Sequence, residues 1–214
     1  MRNSPDEKLK GAVLRVGGGR GFVIEGKHDR YVVTAAHCLP HFPPAASISY
    51  SSERTYGYLL GRLGDDPAVW TECLYADPVA DIAVLGTPDT QELYEEAEAY
   101  SGLTESVPAL PVSDILGVGK YGWVSDAPAW LLSLNNKWIS CKVSRRDRAF
   151  NISEAMDGIR GGMSGSPIMS DEGAAIGIVT ASGGVAGSSE PHTEGAPNPR
   201  LIIDLPGWLL REVL

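Results

Sequence analysis

The sequence predicts an all-β protein built in two halves. Glycine (25) and proline (15) are frequent in its 214 residues, and short apolar runs alternate with turn residues along most of the chain. An acidic stretch over 88–106 separates two series of such runs. Spacing of this kind favours many short strands joined by turns over a helical bundle. The chain is long enough to bury a substantial core, and 21% charged with 43% hydrophobic residues is ordinary for a globular protein.

Taken in order, Gly11–Val16 and Gly21–Glu25 read as strands around the glycines at 17–19, and Arg30–Thr34 as a third. The glycine cluster is not a phosphate loop, because it lacks the Lys-Ser/Thr ending and a strand follows it. Strands are expected at Ser47–Tyr50, Tyr56–Leu63, Trp70–Tyr75 and Asp81–Leu85. Gln91–Tyr100 has helix-forming composition inside the acidic linker. The second half opens at Val107, with strands expected at Tyr121–Val124, Trp130–Leu134, Trp138–Val143 and Ala149–Ile152, and Asn135-Asn136 as a hairpin turn. Ser166–Met169 and Ala174–Ala181 form another hairpin across Asp171–Gly173. Residues 183–199 read as a long mobile loop, Leu201–Ile203 as a last strand and Leu209–Leu214 as a short terminal helix. The expected division is 1–106 and 107–214.

Bulk properties exclude several functions. A net charge of −9 argues against nucleic acid or an anionic membrane as partner, and the cluster Arg145–Arg148 is too short to change that. Residues 1–10 are polar, without an apolar stretch of signal-peptide length, and no apolar run is long enough to span a membrane. Cys38, Cys73 and Cys141 are odd in number and widely spaced, which is not a secreted disulfide framework. A reducing cytoplasm is the expected compartment. No Cys-x-x-Cys pair is present, and Cys38 stands where a zinc helix joining His37 and His41 would need glutamate. Neither metal nor cofactor is expected.

Three stretches carry chemistry. In Gly161-Gly162-Met163-Ser164-Gly165-Ser166-Pro167 a serine sits between glycines, which lets backbone N–H groups turn toward one point beside a hydroxyl. The plain alternative is a loop between strands. His37 ends a buried strand on small residues, where a histidine can also be structural. Asp81 stands at the mouth of an apolar strand, where a carboxylate needs hydrogen-bond donors, and it also suits a strand cap.

The order His37, Asp81, Ser164 resembles that of the chymotrypsin-like (trypsin-fold) serine peptidases. Thr34-Ala35-Ala36-His37-Cys38 looks like that family's histidine motif, Asp81–Leu85 like its aspartate motif, and Gly162–Pro167 like its serine motif. The resemblance implies a double six-stranded antiparallel β-barrel with the site in the cleft between barrels. It implies Ser164 as nucleophile, His37 as base, Asp81 as its orienting partner, and the N–H groups of Gly162 and Ser164 as an oxyanion hole. Protein or peptide substrates follow from it.

The departures matter too. Met163 replaces the aspartate that secreted members keep before the serine, and no activating cleavage site precedes Gly11. The cysteine that would pair with Cys38 is missing from the strand around Phe22. Both departures look like bacterial intracellular relatives, which would need a regulatory partner or assembly as restraint. By the same resemblance Gly158 floors the specificity pocket and Thr180, Ala181 and Ser182 line one wall. An uncharged floor favours apolar side chains, whereas a slip to Asp157 would favour basic ones. The alternative function is a latent or inactive trypsin-fold protein acting as a protein-binding module, with Met163 as its motive. An esterase of the nucleophile-elbow type is excluded by glycine spacing and by chain order.

Overall fold

The computed structural model describes residues 4–44, 53–114, 126–146, 148–180 and 190–214. The strands expected at 47–50 and 121–124 lie outside these residues, as does 183–189 of the expected loop. In the first half, β1 (Val13–Val16), β2 (Gly19–Glu25), β3 (Arg30–Thr34), β4 (Thr55–Arg62), β5 (Val69–Asp77) and β6 (Ile82–Gly86) close into a barrel in the order β1-β2-β3-β6-β5-β4. Helix α1 (Tyr94–Glu105) lies against it, and the Tyr100 hydroxyl donates to the carbonyls of Arg30 and Leu85. The acidic stretch is therefore partly a docked helix rather than a free linker.

In the second half, β7 (Ala127–Leu132), β8 (Trp138–Arg146), β9 (Ala149–Ser153), β10 (Pro167–Ser170), β11 (Ala175–Ile178) and β12 (Gly195–Pro199) form a six-stranded antiparallel sheet ordered β11-β10-β7-β8-β9-β12. A bridge from Gly177 to Arg200, next to β12, brings its two edges together into a nearly closed barrel. The double barrel expected from the sequence is thus the observed fold. The β7–β8 turn carries Asn136 at φ 56° and the β10–β11 turn carries Gly173 at φ 81°, as turns that need left-handed backbone demand.

Continuous apolar runs such as Phe22-Val23-Ile24 and Ile82-Ala83-Val84-Leu85 arise because these strands are covered on both faces. Successive side chains point to opposite faces of a strand. Leu14, Val23, Val32, Ala83 and Leu85 fill the first barrel. Their neighbours Val13, Phe22, Val33, Ile82 and Val84 instead form a layer with Leu132, Met169, Ile178 and Leu205. β10 alternates likewise, with Ile168 in the second barrel's own core, whereas a β-bulge in its pairing with β11 puts Ile176 in that core and both Ala175 and Ile178 in the shared layer. The shared layer cements the two barrels.

Two expectations fail at the C-terminal end. Leu201–Ile203 is not a strand but part of α2 (Leu201–Asp204), because Asp204 folds back and its carboxylate accepts from the Arg200 N–H at 2.8 Å. The last strand is β12, inside the stretch expected to be a loop. Its prolines cannot donate to a ladder, which disguises it. It pairs with β9 through Gly195, Asn198 and Pro199 across a register shift. The terminal helix is α3 (Gly207–Val213), which packs Trp208 edge-on against Tyr31 of the first barrel at 5.7 Å. Among the described residues no helix is long and apolar enough to cross a membrane.

Phe22 is fully buried in the layer between barrels. Phe22→Ala is expected to cost about 3–5 kcal/mol in denaturant unfolding as one cooperative transition. A loss under about 1 kcal/mol, or two separate transitions, would show that this layer does not couple the halves.

Candidate active site

The register of β3 and β6, Thr34 opposite Ala83, sets the residues following β3 beside those preceding β6. After β3 the chain enters a single 3₁₀ turn, Ala36–Cys38, whose small first residue is buried and whose His37 is left half exposed. Asp81 adopts φ 58°, a left-handed conformation that aspartate tolerates, and turns its carboxylate to that histidine. One oxygen accepts from the His37 backbone N–H at 2.9 Å, and the other lies 2.7 Å from Nδ1. The second contact assigns the Nδ1 proton to the Asp81 side and leaves Nε2 as the basic nitrogen. The same hydrogen bond raises the His37 pKa above 6.5, against the opposing effect of partial burial.

Ser164 arrives from the other barrel. Its carbonyl accepts from the Arg20 N–H of β2 at 2.7 Å, so the nucleophile loop is pinned across the interface. Gly162 and Gly165 have φ of 86° and 83°. A side chain at Gly165 would collide with the Arg20 carbonyl, and one at Gly19 would meet Cys38 Sγ at 2.5 Å and the Ser164 carbonyl at 2.7 Å. Within the loop, Met163 donates to Arg160, Gly165 to Val179 and Ser166 to Met163. Among the described residues the N–H groups of Gly162 and Ser164 donate to no acceptor, and the Ser164 hydroxyl has no hydrogen-bond partner. A cavity of about 540 Å³ is lined by Gly18, Gly19, His37, Leu39, Gly162 and Ser164. It brings together the histidine, the serine and an unengaged glycine amide.

Met163 is almost fully buried among Ile139, Ile159 and Val179 of the second barrel. Apolar packing thus surrounds the loop residue that stands where the resemblance puts an aspartate in secreted members. Cys38 also lines the cavity, but burial pushes its thiol up to about 11, so it is protonated at neutral pH and no rival nucleophile. All three cysteines are buried thiols. No cluster of metal-ligating side chains occurs among the described residues.

The expected specificity residues are brought together only in part. Gly158 has φ 72°, and a side chain there would lie 2.6 Å from Pro191 Cβ, while Ile159 exchanges two backbone hydrogen bonds with His192. Asp157 shares a cavity of about 290 Å³ with Gly158, Arg160 and the β7–β8 turn. Thr180 gives its amide to Asn198 Oδ1 at 2.9 Å and its hydroxyl to the Pro197 carbonyl at 2.8 Å. Ala181 and Ser182 lie outside the described residues. Sequence reasoning missed Asn198, fully buried and donating to the carbonyls of Gly195 and Phe150. It also missed Arg20, whose only signal was a cation just ahead of the apolar run Phe22-Val23-Ile24.

No curated protein matches the chain. A model of the trypsin-like peptidase domain matches residues 19–178, a span that starts at the glycine facing Cys38, ends with β11 and includes His37, Asp81 and Ser164. With that span covering most of its length, the chain belongs to the trypsin-like peptidase domain family.

Proposed function

We propose that the chain is a serine endopeptidase working through Ser164, His37 and Asp81. The observation that carries this reading is the paired grip of Asp81 on the His37 backbone and ring, 2.9 and 2.7 Å, on the wall of a cavity that Ser164 shares. Nε2 of His37 takes the Ser164 proton as Oγ attacks the peptide carbonyl, and a tetrahedral oxyanion forms. The amides of Gly162 and Ser164 donate to that oxyanion. Collapse breaks the C–N bond, and the His37 proton goes to the departing amine. Water, deprotonated by His37, then releases the acyl group and restores the serine.

Gly158 itself presents no charge, which favours a small or apolar side chain before the cut, although Asp157 and Arg160 line the same cavity. The working division is residues 1–106 for the half bearing His37 and Asp81, and 107–214 for the half bearing Ser164. A cytoplasmic bacterial setting, with a regulatory partner restraining cleavage, accords with three buried thiols and a loop anchored by Met163. The unpartnered Ser164 hydroxyl favours a second reading, a silent protease fold used for binding. Catalytic hydrogen bonds are often loose without substrate, and the unengaged amides of Gly162 and Ser164 favour the active reading.

Two measurements test this. A fluorophosphonate probe is expected to leave one adduct on Ser164 by mass spectrometry, absent in Ser164→Ala and strongly slowed in His37→Ala. Folded protein that never labels would leave the binding reading. The pH profile is the second test. Because hydrogen bonding to Asp81 raises the His37 pKa and the neutral ring is the base, kcat/KM is expected to climb along a limb centred above 6.5. Asp81→Asn should lower kcat by about 10⁴ and move that limb down. A limb below the ordinary histidine value would remove His37 as the base.

A further inference from the structure

Arg20 is a buried cation that the proposed chemistry leaves unused. It is 6% exposed, and among the described residues its guanidinium meets no carboxylate. Nη1 donates to the Leu132 carbonyl at 2.7 Å and Nη2 to the Ser133 carbonyl at 3.1 Å, where β7 ends and its turn begins. Burying a charge against neutral acceptors is costly, and burial alone pulls its pKa down.

The main chain of the same residue grips the nucleophile loop. Its N–H donates to the Ser164 carbonyl, and its carbonyl accepts from Thr34 Oγ1 at 2.6 Å where Gly165 passes without a side chain. The turn held by the guanidinium leans on that loop from the other side. Leu134 Cδ2 lies 3.6 Å from where a Cβ on Gly162 would stand, and Ser133, Leu134 and Asn135 share a cavity with Gly158, Arg160 and Met163. Ser133 also braces the turn, with its Oγ accepting from the Lys137 N–H at 3.1 Å.

We infer that Arg20 is a positioning residue: through its backbone and guanidinium it clamps the 133–137 turn and the 160–166 loop together, and so holds the amides of Gly162 and Ser164. The kinetic consequence rests on the peptidase reading, whereas the clamp itself does not.

The test compares Arg20→Met and Arg20→Lys with the unaltered chain, by hydrogen exchange, melting temperature and steady-state kinetics on a peptide ester. In Arg20→Met, exchange at 133–137 and 160–166 is expected to quicken about tenfold, with kcat falling about 10- to 100-fold and KM little changed. Arg20→Lys keeps the cation and should recover most of both. If Arg20→Met fails to fold, Arg20→Gln replaces it as the neutral variant. Unchanged exchange at 160–166, or exchange quickened equally throughout both barrels with kcat intact, overturns the inference. Should the unaltered chain neither label nor hydrolyse, the peptidase reading falls, and local exchange still decides the clamp.

Discussion

The hydrogen bond from the Arg20 N–H to the Ser164 carbonyl is the contact on which the site's geometry depends, because it joins a strand of one barrel to the nucleophile loop of the other. Its 2.7 Å length requires bare backbone on both sides. Gly19 faces Cys38 Sγ and the Ser164 carbonyl, and Gly165 sits on the Arg20 carbonyl. Glycine's conformational cost in a strand is accepted here because any Cβ would push the barrels apart. The apolar layer of Phe22, Val33, Ile82, Leu132 and Met169 then makes the approach rigid. Polar contact sets the distance, and apolar burial keeps it.

Within that frame the polar groups divide by how well they are satisfied. Asp81 is partly buried, yet both its oxygens are engaged by His37, so its charge is offset at the point where it organises the imidazole. The amides of Gly162 and Ser164 are the reverse case, donors without acceptors among the described residues. Both residues line the cavity beside His37, which is where the proposed reaction would develop its oxyanion.

Legibility followed the range of the interactions. The surroundings of His37, Asp81 and Ser164 were readable because each sits in a short run whose neighbours disclose its setting: small residues after a strand, an apolar run behind a carboxylate, glycines round a hydroxyl. β12 was unreadable because Gly195-Ala-Pro-Asn-Pro199 has the composition of a loop, and only β9 across the sheet makes it a strand. α2 was misread because the apolar Leu201-Ile202-Ile203 suits a strand locally, while the Asp204 carboxylate on the Arg200 N–H decides for helix. Arg20 and Asn198 stayed hidden for a related reason. Their partners, Leu132 and Ser133 for one and Phe150 and Thr180 for the other, are distant in the chain.

Met163 shows how one departure from a family pattern can be compensated by packing. A charged residue at that place would need a counter-charge brought to it, whereas a methionine needs only the apolar wall that Ile139, Ile159 and Val179 supply. Apolar burial does not titrate, and a guanidinium remains protonated across the physiological range even when burial lowers its pKa. Cys38, the other titratable group beside Ser164, stays a thiol with its pKa near 11. Among the residues lining the cavity, the ionisation left near neutrality is that of His37, tuned by a single carboxylate from the same barrel.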